Sequence, residues 1–246
     1  DERTAVDQFG KGDKYFGVCM LMAALPGLPM LGHGQIEGFA EKYGMEFRKP
    51  NWDEQVDPDL VARHEREIFP LFHQRRLFAG VENFNLFDFF ALDGNLNENV
   101  FAFTNHQGGN SALVIYNNNY SETEGPIHFS ARKMRKIGSE TRLEQTALYA
   151  ALKLTPDRTA FIVFRDQITG LSYLRPAGDL LDRGLQFKLR GFEYHAFLDF
   201  RVVTSDAAHD YASLYSLIGD KGVPEIEHSL SELFLHSIID PFKLII

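Results

Sequence analysis

The chain has 246 residues, of which 44% are hydrophobic and 24% charged, and this is enough apolar material for one large core or two smaller ones. Its net charge of -9 argues against a nucleic-acid backbone or an anionic membrane as the main partner, because both require concentrated Lys and Arg. We therefore predict no nucleic acid and no membrane among its partners. A neutral ligand suits this composition better.

The single cysteine, Cys19, lies in an apolar stretch, which rules out an internal disulfide and favours a place in the core. It slightly favours a reducing compartment such as the cytoplasm. Within these residues we find no signal-like segment and no apolar run of membrane-spanning length. Because the sequence begins at Asp1 without Met and ends on the apolar residues 241–246, we expect it to be a piece of a longer protein.

The first predicted element is a helix from Tyr15 to Leu25, which is stopped by Pro26 and Gly27. The short apolar run from Leu28 to Leu31 then predicts a buried parallel strand. Polar residues after the carboxyl end of such a strand are the first candidates for a site, because function gathers there in parallel sheets and barrels. They are His33, Gln35 and Glu37. An ordinary loop is the alternative, and spacing alone does not separate the two.

Residues 32–52 are predicted to form a loop, and a second helix is predicted to follow it. Asp57 can cap it, Pro58 suits its first position, and apolar residues recur at helical spacing as far as Phe72. Pro70 should kink it. Residues 1–79 therefore form a helix, strand, loop and helix, a unit that cannot close a parallel sheet by itself.

From Gly80 onward the pattern changes to strands rich in Phe, Val, Ile and Tyr, which predicts an antiparallel β-sandwich over residues 80–205. The predicted strands are 84–92, 100–104, 112–116, 126–131, 159–164, 171–174, 185–189 and 194–202. Leu143 to Leu152 has helical spacing and is predicted as an inserted helix. Residues 206–246 are predicted to form a helical extension with two amphipathic helices.

No motif for a cofactor or a metal is present, and we predict neither. The glycines at 32, 34 and 38 have the wrong spacing for a dinucleotide fingerprint, and the nine histidines include no zinc-binding pair. His64, His73, His106 and His195 are therefore interpreted as structural or surface residues. An exposed aromatic such as Trp52 or Tyr43 is suited to stack on a sugar ring, with packing inside the protein as the alternative.

One segment resembles a known family. Gly27, Pro29 and Gly34 match the pattern Gly-x-Pro, four residues, Gly-x-Glu of the eighth barrel strand in the α-amylase family of glycoside hydrolases. Ile36 stands where the pattern has Glu, and Glu37 follows one residue later. The resemblance implies an α/β plus all-β fold: the last βα portion of a TIM (β/α)8 barrel, an antiparallel β-sandwich domain and a helical tail.

In function, the resemblance implies retaining hydrolysis or transfer at α-glucosidic bonds of starch, glycogen or maltodextrin. Asp1 would stand at the position of a transition-state stabiliser. The residues expected to bind substrate are Glu2, His33, Gln35, Glu37 and Trp52. The nucleophile and the general acid would belong to a preceding barrel portion of the same protein, so the partners are that portion and an α-glucan or oligosaccharide, and the chain alone is predicted to be inactive.

Two alternatives remain open at this point. The large sheet domain and the preference for a neutral ligand also fit a carbohydrate-binding or interaction module without catalysis. The shifted Glu37 and the presence of His33 where the family has Tyr also fit an amylase-like scaffold that has lost its activity.

Overall fold

The computed structural model describes residues 3–41, 49–137, 140–206 and 209–243. Within these ranges, five α-helices precede the sheet: α1 (Ala5–Phe9), α2 (Asp13–Ala24), α3 (Pro58–Arg63), α4 (Phe69–His73) and α5 (Arg75–Phe78). The helix predicted to begin after Asp57 is confirmed. The Asp57 carboxylate accepts a hydrogen bond of 3.1 Å from the backbone N–H of Leu60, and Pro58 occupies the first turn, where its missing N–H costs nothing.

A π-helical turn, His64–Ile68, joins α3 to α4. It ends two residues before Pro70, which lies in the first turn of α4. In an α-helix, the proline ring would clash with the carbonyl four residues earlier, that of Arg66. The wider turn changes the hydrogen-bonding pattern at that point, so the chain remains helical across a proline predicted to kink it.

The predicted buried strand from Leu28 to Leu31 is wrong. These residues have no regular secondary structure, and the Leu28 and Met30 side chains are 85% and 74% exposed. A parallel strand requires neighbouring strands to pair its backbone groups, and no strand in the described part of the chain lies beside this segment. The predicted last strand of a barrel is therefore an exposed, apolar segment without regular secondary structure here.

The described residues then form ten strands: β1 (Asn85–Phe87), β2 (Val100–Gln107), β3 (Asn110–Asn117), β4 (Thr123–Ile127), β5 (Lys133–Ile137), β6 (Glu140–Glu144), β7 (Phe161–Asp166), β8 (Ser172–Pro176), β9 (Leu185–Leu189) and β10 (Tyr194–Val203). Six of them form one sheet in the order β1-β2-β3-β10-β7-β8, while β4 pairs with β9 and β5 with β6. Every pair among these strands is antiparallel, as predicted.

Helices cover one face of the six-stranded sheet. Buried side chains of α2 to α5 share a core with inward-facing residues of β2, β3 and β10. The contact is close at Gly17 of α2, where an added Cβ would lie 2.2 Å from the ring of Tyr116. The helical unit and the sheet, predicted as separate domains with a boundary after residue 79, therefore pack into one continuous core.

The opposite face is covered by the β4–β9 ribbon and two short helices, α6 (Leu148–Ala151) and α7 (Ala177–Arg183). A two-stranded ribbon thus replaces the second full sheet of the predicted sandwich. The helix predicted over residues 143–152 exists only as α6, because its first residues continue β6.

The helical extension consists of α8 (Tyr211–Ile218) and α9 (Ile226–Lys243). Leu214, Ile226 and Leu230 pack on Val163 and Leu174 in a third apolar cluster, so both predicted helices are confirmed and rest on the β7–β8 end of the sheet. Among the described residues, no helix combines the length and apolar character needed to cross a membrane.

Candidate functional site

The residues predicted as a site lie in the loop between α2 and α3, which is held at its start by Arg75 of α5. The guanidinium group donates hydrogen bonds to the carbonyl oxygens of Ala23 (2.6 Å), Leu25 (2.8 Å) and Gly27 (2.7 Å). Carbonyls at the end of a helix lack partners within the helix, and a cation suits the negative end of its dipole. Arg75 therefore fixes the direction in which the chain leaves α2.

Gln35 holds the next turn of this loop against α2. Its side-chain oxygen accepts a hydrogen bond of 2.9 Å from the backbone N–H of Gly32, and its amide nitrogen lies 3.6 Å from the Cys19 sulfur. The Gln35 carbonyl oxygen lies 3.2 Å from the Tyr15 hydroxyl group. Burial raises the pKa of the Cys19 thiol, which keeps it neutral. The contacts of Gln35 thus lie within the protein.

His64 supports the same turn from the π-helical segment. It is fully buried; its Nδ1 lies 2.9 Å from the Leu60 carbonyl oxygen and its Nε2 lies 2.9 Å from the Tyr15 hydroxyl group. Desolvation by burial lowers the pKa of His64, so the ring is neutral, donates from Nδ1 to Leu60 and accepts at Nε2. The interpretation of His64 as structural agrees with this satisfied, buried position.

Glu37 connects the loop to the start of α3. Its carbonyl oxygen accepts a hydrogen bond of 2.9 Å from the backbone N–H of Asp57, the residue that caps α3. The Glu37 side chain is half-buried, and its negative charge acts on His64. The structure therefore places both Gln35 and Glu37 at the anchored base of the loop.

His33 and Trp52, by contrast, line a common pocket of about 150 Å³, although 19 positions separate them in sequence. The Trp52 side chain is 58% exposed. The remaining lining residues are Phe39, Glu41, Pro50, Asp53 and Glu54. An exposed indole beside an imidazole and several carboxylates offers an apolar face with hydrogen-bonding groups around it, which suits a sugar ring.

Two carboxylates give this pocket its shape. Glu54 accepts hydrogen bonds from the backbone N–H groups of Ala40 (2.7 Å) and Glu41 (2.9 Å). The Glu41 carboxylate accepts in turn from those of Asn51 (2.7 Å) and Trp52 (2.9 Å). Desolvation raises the pKa of Glu41, but the hydrogen bonds from Trp52 and Asn51 outweigh it, and the pKa is lowered overall. An ionised Glu41 suits ligand binding and does not suit general-acid catalysis.

The other predicted site residues, Asp1 and Glu2, lie outside the described residues, as does Tyr43. In the described part of the chain, no group of three or more His, Cys, Asp or Glu side chains is placed to hold a metal ion. Sequence reasoning did not predict Glu41 and Glu54. Carboxylates that accept hydrogen bonds from loop backbone leave no periodic signal in a sequence.

Sequence reasoning also missed a charged cluster in the sheet. His195 of β10 has Nδ1 2.8 Å from the Asp166 carboxylate and Nε2 3.4 Å from that of Glu193. Burial by itself lowers the pKa of His195, but the hydrogen bonds to Asp166 and Glu193 raise it overall, to about 9. His195 is therefore a cation at neutral pH, held between two carboxylates.

No family model matches the chain, and no curated protein matches it. Solved structures do resemble it. The α-amylase from Geobacillus thermoleovorans in complex with acarbose matches at 11% identity and a TM-score of 0.48, over 77% of this chain and 33% of the other. AmyP in complex with maltose matches at 13% identity and a TM-score of 0.42, over 78% and 35%.

The cyclomaltodextrin glucanotransferase CldA matches at 12% identity and a TM-score of 0.38, over 77% of this chain and 32% of its own. This chain thus spans about a third of the length of the solved structures that it resembles.

Proposed function

We propose that this chain is the C-terminal portion of a retaining α-amylase-type glycosidase or transglycosylase that acts on α-glucans. In this proposal, residues 1–79 complete a catalytic barrel, residues 80–205 form the C-terminal β domain, and residues 206–246 are a helical extension. The nucleophile and the general acid belong to a preceding portion of the barrel, with Asp1 as a transition-state stabiliser and Glu2 in contact with substrate.

The observation that carries the proposal is the exposed apolar segment at Leu28 and Met30. Arg75 holds the chain just before this segment, at Leu25 and Gly27, and the Leu28 and Met30 side chains that follow are exposed. Burial of a Leu or Met side chain contributes about 2 kcal/mol to stability. Leu28 and Met30 do not gain this contribution in the chain by itself, because their side chains are exposed. A neighbouring strand and helix of a barrel would cover them, and would also pair the backbone of the segment.

Within this proposal, the pocket of His33 and Trp52 contacts the glucan. Trp52 stacks on a sugar ring and His33 donates or accepts a hydrogen bond with a hydroxyl group, while Gln35 and Glu37 hold the loop that presents them. The pocket contributes substrate binding, and the chemistry of bond cleavage belongs to the carboxylates of the preceding barrel portion.

The test uses Trp52 as its reporter, because it is the only tryptophan in the chain. Titration of the 246-residue chain with maltoheptaose should give a saturable change in tryptophan fluorescence, and the chain should release no reducing sugar from starch. His33→Ala should weaken the binding about tenfold, since the pocket loses a hydrogen-bonding ring. His73→Ala, an exposed histidine on α4, is the matched control and should leave it unchanged.

A fluorescence signal that does not saturate with glucan would contradict the role of the pocket. Turnover of starch by the 246 residues would contradict the assignment of the catalytic carboxylates to a preceding portion. The coding sequence upstream of Asp1 provides a further test, since the proposal requires two carboxylates on successive strands there.

A carbohydrate-binding module without catalysis is the second candidate. It is favoured by the Glu41 and Glu54 carboxylates, which are engaged with loop backbone rather than directed to acid–base work. An upstream sequence that lacks the two carboxylates, together with saturable glucan binding by the chain, would favour this candidate over the enzyme.

A further inference from the structure

A second and larger cavity lies in the β domain, on the side of the sheet that carries β9 and α7. Its volume is about 610 Å³, within the range of about 300–1,000 Å³ that is usual for sites of small ligands. We call it the β9 groove, and its lining includes Tyr173 of β8, Phe187 of β9, and His195 and Phe197 of β10. None of these residues lines the pocket of His33 and Trp52.

Two half-buried aromatic rings in the β9 groove rest on a rigid layer of buried ones. Tyr173 stacks on Phe164 with ring centres 5.6 Å apart and an angle of 15°. Phe187 lies 5.5 Å from Phe197, and Phe164 and Phe197 are both only 3% exposed. The buried layer fixes the orientation of Tyr173 and Phe187, so they form a preorganised apolar platform.

The lining around this platform contains equal numbers of positively and negatively charged side chains. The four carboxylates of the lining are Glu124, Asp179, Glu193 and Asp220. The four cations are Arg175, Arg183, Lys188 and His195, the last of which is charged at neutral pH because its pKa is raised to about 9. A cleft with equal numbers of both signs does not favour an anion or a cation as its ligand.

The guanidinium groups are also engaged with protein acceptors. Arg175 Nε lies 3.3 Å from the Asp220 carboxylate, and its terminal nitrogens donate to the carbonyl oxygens of Leu174 (2.8 Å) and Asp220 (2.9 Å). Arg183 pairs with Asp179. A phosphate or carboxylate would have to displace these partners, whereas a hydroxyl group can donate to the carboxylates and accept from the remaining N–H groups.

We propose that the β9 groove binds a neutral oligosaccharide, with sugar faces stacked on Tyr173 and Phe187 and hydroxyl groups hydrogen-bonded to the charged rim. The choice of an α-glucan among neutral oligosaccharides rests on the proposed function. The groove is a binding site separate from the pocket of His33 and Trp52, so the chain holds glucan at two places.

The experiment follows two signals on the whole 246-residue chain. Tryptophan fluorescence reports the loop pocket, and isothermal titration calorimetry reports total binding, with maltoheptaose, cellohexaose and inorganic phosphate as probes. Phe187→Ala should weaken the calorimetric affinity of one site for maltoheptaose about tenfold, as is usual when an aromatic anchor is truncated, and should leave the fluorescence titration unchanged. Phe129→Ala is the matched control, since Phe129 is 46% exposed and lies outside the groove.

Backbone amide NMR shifts of the unmodified chain provide a measurement that does not depend on a variant folding. Maltoheptaose should shift the signals of Tyr173, Gly184 and Phe187. Binding of cellohexaose in place of maltoheptaose, with no fluorescence change, would support the groove and contradict the α-glucan assignment of the proposed function. Shifts confined to the loop pocket, or a groove that responds to phosphate alone, would overturn the inference.

Discussion

Replacing His195 with a neutral side chain should change how the stability of the chain depends on pH. The pKa of His195 is about 9 in the folded chain and 6.5 in the unfolded chain, and this difference corresponds to about 3 kcal/mol of stabilisation. Because the folded pKa is the higher one, the contribution is complete below pH 6.5 and is lost as the pH rises through 9. The groups that face His195 are the carboxylates of Asp166 and Glu193.

We therefore expect the free-energy difference between the unmodified chain and His195→Gln to be largest near pH 6 and to shrink by about 3 kcal/mol by pH 10. Urea denaturation followed by circular dichroism at several pH values measures it, and titrating groups that do not interact with His195 cancel in the difference. His73→Gln, at an exposed position, should stay within about 0.5 kcal/mol of the unmodified chain at each pH. A difference for His195→Gln that is constant or grows over this range would refute the reasoning.

Two further substitutions test the packing of the helical unit. Gly17→Ala places a methyl group against the Tyr116 ring and should destabilise the chain by about 1–3 kcal/mol in urea denaturation. Gly178→Ala, where an added Cβ meets only the Arg158 carbonyl oxygen at 3.4 Å, should have little effect, and equal effects would contradict the close contact at Gly17. Arg75→Met removes three hydrogen bonds to carbonyl groups and should lower the free energy of unfolding by about 2 kcal/mol or more. Arg76→Met, at the exposed neighbouring position, should lower it by less than about 0.5 kcal/mol. Similar losses for both variants would show that Arg75 does not anchor the loop.

Much of the fold could be predicted where the signal is local. The cap at Asp57 and the strand β9 depend on neighbouring residues, and the prediction of β9 matches its bounds in the structure. The hairpin of β5 and β6 was missed because its strands are rich in charged residues and lack alternation. The Leu28 to Leu31 run was misassigned because a short apolar segment shows only that its side chains favour burial, and the neighbours that would bury it are not encoded nearby.

The candidate site was only partly predictable, for a related reason. His33 and Trp52 were each identified by residue type. Their proximity depends on hydrogen bonds of Glu41 and Glu54 to loop backbone, and such bonds cannot be predicted from a sequence pattern. The β9 groove brings together side chains from several strands and a helix, and His195 gains its charge from partners on either side. Such clusters form only when strands pair in a given register, and the order of residues along one strand does not reveal that register.

The common core of α2 and the sheet has a consequence for how this architecture can be recombined. A domain is easier to exchange between proteins when the surface that it turns toward the rest of the chain is polar. Here the ring of Tyr116 occupies the space left by Gly17, and the helices that precede the sheet cover β2, β3 and β10 on one of its faces. A chimera cut between Phe78 and Phe84 would expose two apolar surfaces at once, so successful grafts should carry α2 together with the sheet.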